Sequence, residues 1–126
     1  MLKLMMIVSG LVEVVFGLSA LIAPAMVLEA VAAGAGDVPT VALIRLLGAA
    51  TLGLGVGALF ARDHLDTAGG LAAAYGLGLY NVVGGFVLII SSMSAGGSGL
   101  WPGAILHTVI AALFVYAFVA RGGRGG

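Results

Sequence analysis

Residues 2–23 read LKLMMIVSGLVEVVFGLSALIA, a single apolar run interrupted in its centre by one carboxylate, Glu13, and stopped by Pro24. A helix rises about 1.5 Å per residue, so about 20 residues cross the roughly 30 Å of a bilayer's hydrocarbon core. The run is long enough to span. Lys3 followed by apolar residues and Ala23-Pro24-Ala25 also has the outline of a cleaved signal peptide. The apolar core of such a peptide is only roughly 7 to 15 residues, however, and a central carboxylate does not belong in it. We read residues 2–23 as the first membrane span.

Three further runs of the same kind follow, over about 41–61, 68–93 and 101–120. Composition agrees with this. Of the 126 residues, 62% are hydrophobic and 8% charged, and the mean hydropathy is +1.26. Soluble domains carry about 25% charged residues, and one small core could not hide so much apolar surface. A soluble or disordered chain is excluded, and the first partner is the lipid bilayer. Five basic residues balance five acidic ones, which gives no footprint for nucleic acid. The absence of cysteine removes disulfides, thiol redox chemistry and thiolate metal sites.

With four spans, both termini and the second loop share one side. That side holds Lys3, Arg62, Arg121 and Arg124, whereas the other has only Arg45, inside the second span. The positive-inside rule makes the termini cytoplasmic. Trp101 then anchors the outer interface, residues 121–126 form a short disordered cytoplasmic tail, and 25–33 reads either as one or two interfacial helical turns or as a loop.

Gly10-Leu11-Val12-Glu13-Val14-Val15-Phe16-Gly17 in the first span resembles Gly78-Leu79-Tyr80-Asn81-Val82-Val83-Gly84-Gly85 in the third. The match reads either as a duplicated helical hairpin or as coincidence in a chain rich in Gly, Leu, Val and Ala. Small residues recur on one face of each span and allow close packing: Gly10, Gly17 and Ala20 around Glu13; Ala74, Gly78 and Gly85 around Asn81; Gly103, Ala104 and Ala111 around His107. On the second span Ala49, Gly53 and Gly57 form a stripe that packs either internally or against another subunit. The expected architecture is an all-α, single-domain, integral membrane four-helix bundle.

Each span carries one strongly polar residue. Glu13 and Asn81 fall near the midplane, His107 about 5 Å and Arg45 about 9 Å toward the outer side. This predicts a Glu13–Arg45 ion pair with Asn81 and His107 beside it. Intramembrane ionisable residues are costly and mark functional sites by default. The competing interpretation is a polar clasp in which the four residues satisfy one another and fix helix register. Below them Leu52, Val56, Leu88, Phe114 and Phe118 are expected to close the cytoplasmic half, leaving an outward-facing pocket. Such a pocket suits a lipophilic molecule such as a quinone, an isoprenoid or a lipid fragment. No metal set is present, no phosphate-binding loop exists, and His64 lies too far from His107 in depth for joint haem ligation; no cofactor is expected.

The length, the Gly-Leu-x-Glu-x-x-x-Gly pattern at 10–17, Pro24 and Arg45-Leu-Leu-Gly48 resemble the DoxX-like class of small bacterial four-span membrane proteins. The resemblance implies an accessory or assembly subunit of a membrane redox system. The expected partners are such a larger membrane complex or a second copy of the chain, in the inner membrane. A midplane glutamate in the first of four short spans also looks like the small multidrug resistance transporters, which would make Glu13 the proton carrier of an exporter. The four-to-one division of basic residues argues against the antiparallel dimers that those transporters often form. A third class is an intramembrane acid-base enzyme, an isomerase or an epoxide-opening enzyme, using His107 and Glu13.

Overall fold

The computed structural model describes residues 1–32, 36–94 and 97–122. Among them are five α-helices: α1 (Leu2–Ile22), α2 (Pro24–Ala32), α3 (Val38–Ala61), α4 (Ala68–Ser92) and α5 (Trp101–Gly122), with a 3-10 turn over Gly97–Leu100 before α5. Four of these segments are long and apolar enough to cross a membrane. The chain is a small multi-span membrane protein with its spans packed as a bundle.

Capping chemistry sets the boundaries. Asp37 precedes α3 and its Oδ1 accepts the Thr40 amide at 2.9 Å, with Pro39 in the first turn, where its missing N–H costs nothing. Hydrogen bonds from the Thr40 side chain and the Thr40 amide hold the exposed Asp37 carboxyl below the usual carboxylate range. Thr67 caps α4 through the Gly70 amide at 3.0 Å. Pro24 does not leave a loop behind it, because it can occupy the first position of a helix. It opens the two-turn helix α2, which buries Leu28 and Pro24 against the bundle. Arg121 and Gly122, expected in a disordered tail, continue α5; residues 123–126 of that tail lie outside the described residues.

The helices associate as two hairpins, α1 on α3 and α4 on α5. In the first, glycine backbones touch. A Cβ on Gly17 would stand 2.7 Å from the Gly48 carbonyl and 2.7 Å from the Leu52 amide nitrogen, and one on Gly55 would stand 2.6 Å from the Gly10 carbonyl. Residues ten and seventeen of α1 therefore meet residues fifty-five and forty-eight of α3 at two antiparallel knuckles. Such close approach maximises dispersion contact where lipid offers no hydrophobic drive. Gly85 plays the matching part in the second hairpin, where a Cβ would meet Thr108 Oγ1 at 3.1 Å.

The stripe Ala49, Gly53 and Gly57 does not pack within the bundle. All three are exposed, and neither Gly53 nor Gly57 has anything within 4 Å of an added Cβ. The buried face is Gly48, Thr51, Gly55 and Ala58, about half a turn of the helix away.

The hairpins join at the end of the bundle that holds both termini. There Leu2, Met5, Met6 and Ala58 meet Ala74, Leu77, Ile110, Phe114 and Ala117, with Phe118 packed against them. Phe114 and Phe118 thus close this half. Of the other residues expected there, Val56 faces outward, Leu52 lies against α1, and Leu88 lies in the opposite half of the bundle. Lys3 pairs with Asp63 across this end. The lysine's hydrogen bond holds the exposed Asp63 carboxyl below its ordinary range.

Candidate functional site

In the half away from the termini the hairpins part and enclose a cavity of about 680 Å³. Its back wall is Val12 and Phe16 of α1; Ile44 and Leu47 of α3 form one side, and Leu79, Val83, Val87 and Leu88 of α4 the other. Gly103 and Leu106 of α5 complete the wall, and Val27 and Val31 of α2 with Leu100 lie over the end. Nearly all of it is aliphatic. The polar groups are Glu13, Tyr80 and His107, which line its midplane end.

A hydrogen-bonded chain supports these residues from behind. Asn81 is fully buried, and its Nδ2 donates to the Leu77 carbonyl at 2.9 Å and to Ser9 Oγ at 3.2 Å. A carbonyl only accepts, so the amide orientation is set and Asn81 Oδ1 faces His107 Nδ1 at 3.0 Å. His107 must then donate through Nδ1, which makes the neutral ring's Nε2 an acceptor. The Tyr80 ring stands edge-on to the imidazole, with centroids 5.4 Å apart at 75°, and its hydroxyl is turned toward the Glu13 carboxyl.

Glu13 is the exception to this mutual satisfaction. The residue is 2% exposed, and its Oε1 is buried with no hydrogen-bond partner. Buried polar atoms are nearly always paired, and an orphan oxygen costs about 1 to 3 kcal/mol.

Of the four polar residues, the structure brings Glu13, Asn81 and His107 to one place and leaves Arg45 out. Arg45 lies on the exposed side of α3, and among the described residues it forms no salt bridge. The expected Glu13–Arg45 ion pair is absent because depth along a helix does not determine azimuth around it: the glycine knuckles turn Arg45 outward, from where its long side chain can reach the headgroups. Glu13→Gln and Arg45→Gln should therefore change the melting temperature additively in the double mutant. A double mutant clearly more stable than the sum would restore the pair.

Two members of the cluster, Ser9 and Tyr80, are not among the residues expected from the sequence. Ser9 lies one turn before Glu13 on the same face, the ordinary spacing of neighbouring side chains. Tyr80 stands at the depth of Glu13, whereas membrane tyrosines favour the two interfaces. A midplane tyrosine signals that its hydroxyl has a partner. Among the described residues no three metal-ligating side chains come together.

Fold and site together define a small four-span membrane protein of the helical-bundle kind, with a mostly aliphatic cavity and one polar end. No family model matches the chain, and no curated protein or solved structure matches it either.

Proposed function

We propose that the protein binds a lipophilic molecule in this intramembrane cavity, with Glu13, Tyr80 and His107 engaging its polar part and Asn81 positioning His107. One observation carries the reading: the buried Glu13 Oε1 has no partner beside a cavity large enough for a drug-sized molecule. A clasp made only to hold helices together would leave no such atom. The terminal torsion of a glutamate is broad, so either oxygen can be offered to a ligand.

The test is native mass spectrometry of the protein extracted in gentle detergent, wild type beside Glu13→Gln. The wild type should retain a lipophilic adduct that the variant loses. A bare wild type would favour the accessory role beside a membrane redox complex that the DoxX-like resemblance implies, and the search would turn to co-purifying proteins.

The same proposal gives the chain an orientation. Lys3, Arg62 and Arg121 cluster at the end of the bundle that holds the termini, which supports cytoplasmic termini in an inner membrane and a cavity in the outer leaflet. The chain contains no cysteine, so single cysteines introduced at Ser98 and Gly122 report without background. In intact cells an impermeant maleimide should label position 98 and spare position 122. Equal labelling would mean dual topology and would favour the exporter.

A further inference from the structure

We propose that the cavity is filled sideways from the hydrocarbon core, and that it takes an uncharged molecule whose polar head is a hydroxyl group. This rests on the reading of the cavity as a ligand site, and adds its route and its chemistry.

The route follows from what closes the cavity and what does not. Toward the midplane it ends at the polar cluster and at Gly76, one turn of α4 beyond Tyr80, and past them lies the packed core of Met6, Leu77 and Phe114. Toward the water it is covered by α2 and the 3-10 turn. These two elements seal tightly: a Cβ on Gly99 would stand 2.5 Å from the Val31 carbonyl, so the turn's backbone rests directly on α2. The side between α3 and α4 is different. These helices meet near the termini, where Leu54, Ala58 and Ala61 approach Leu71 and Ala74, but farther along they stand on opposite sides of the cavity. Leu47 on one edge is 40% exposed, and Leu79 and Val83 on the other are 64% and 51% exposed. Residues that line the cavity and also face the bundle's exterior mark a mouth. At this depth the exterior is lipid.

The head chemistry follows from the groups at the polar end. His107 Nδ1 is already spent on Asn81, so Nε2 offers the ligand only a lone pair, and a carbonyl or ether head has no hydrogen to give it. Glu13 has an oxygen without a donor. A hydroxyl supplies one hydrogen, which either His107 Nε2 or the Glu13 carboxyl accepts. No cationic side chain lines the cavity, because Arg45 is turned away, so a phosphate or carboxylate head would be buried without a counter-charge. An ammonium would find acceptors, but it would have to cross a mouth of leucine and valine with no polar step, which is costly for a charge.

The test uses the full chain in phosphatidylcholine nanodiscs and a diazirine-bearing long-chain primary alcohol, with the matching methyl ketone, amine and carboxylic acid as comparison probes. Crosslinks are mapped by peptide mass spectrometry. The alcohol should label the walls around Leu47 and Val83 about tenfold more than each comparison probe, one good hydrogen bond's worth of discrimination. His107→Phe should narrow the difference between alcohol and ketone, and His107→Phe combined with Glu13→Leu should abolish it. Leu47→Trp, or Val83→Trp should the first fail to fold, should narrow the mouth and cut labelling about tenfold with the circular dichroism spectrum unchanged, whereas Leu100→Trp under the cover should slow it less. If no probe labels these walls, the ligand-site reading itself falls. If the acid, amine or ketone labels them as well as the alcohol does, the site stands and the hydroxyl assignment is overturned. If Leu100→Trp blocks labelling and both mouth variants do not, the sideways route is overturned.

Discussion

Glu13→Leu should make the protein more stable and, if the proposed ligand site holds, at the same time remove the binding of its lipophilic molecule. The substitution roughly conserves volume and removes a buried oxygen that has no partner, so the folded state should gain about 1 to 3 kcal/mol, the usual cost of an unsatisfied buried polar group. Tyr80 loses its carboxyl neighbour in this variant, and adding Tyr80→Phe removes that offset. Thermal unfolding in mild detergent measures the sign directly. A clasp predicts the opposite sign, because a structural glutamate is missed when it is removed. A loss of more than about 1 kcal/mol on Glu13→Leu, a typical net hydrogen bond, would return Glu13 to the structural role.

The second large effect belongs to the α1–α3 seam. Gly17→Ala places a methyl group 2.7 Å from two backbone atoms of α3, and backbone cannot move aside as a flexible side chain can. The helices must separate, at about 1 to 3 kcal/mol for an overpacked methyl group and more for Gly17→Leu. Gly53→Ala is the control within the same hairpin: its methyl group meets nothing within 4 Å, and alanine favours the helix by up to about 1 kcal/mol over glycine. Gly53→Ala should melt at or above the wild-type temperature and Gly17→Ala well below it. Equal melting of the two would mean that α1 and α3 do not meet at these glycines.

The spans were legible because a bilayer imposes a length requirement that apolar runs display openly. The shared depth of Glu13, Asn81 and His107 was legible for a similar reason, since rise per residue is nearly invariant. Rotation about a helix axis is governed by a weaker signal. Helix α3 presents small residues on two faces, Gly48 with Gly55 and Ala49 with Gly53 and Gly57, and hydropathy does not rank them. The seven-residue spacing of Gly48 and Gly55 matches that of Gly10 and Gly17, and the knuckles use that match. That rotation also decides which way Arg45 points, and depth alone does not supply it. A nine-residue apolar segment after a proline fits a short helix or a loop equally well, so the helical form of α2 is not legible in the sequence. Leu88 lies in the half opposite to the expected one through direction alone, since α4 runs from the termini outward and position eighty-eight lies beyond Asn81.

The pairing of the helices into two hairpins separates the residues that hold the bundle together from those that would choose the proposed ligand. Gly10, Gly17, Gly48 and Gly55 hold one hairpin through backbone contacts that tolerate little change, whereas Leu47, Leu79, Val83 and Val87 line the cavity from partly exposed positions. Exchanges among aliphatic side chains at those four places would reshape the cavity while leaving both hairpins intact. A descendant of this chain could therefore drift toward a new lipophilic molecule without passing through an unfolded ancestor, its history recorded on the mouth and hardly at all in the knuckles.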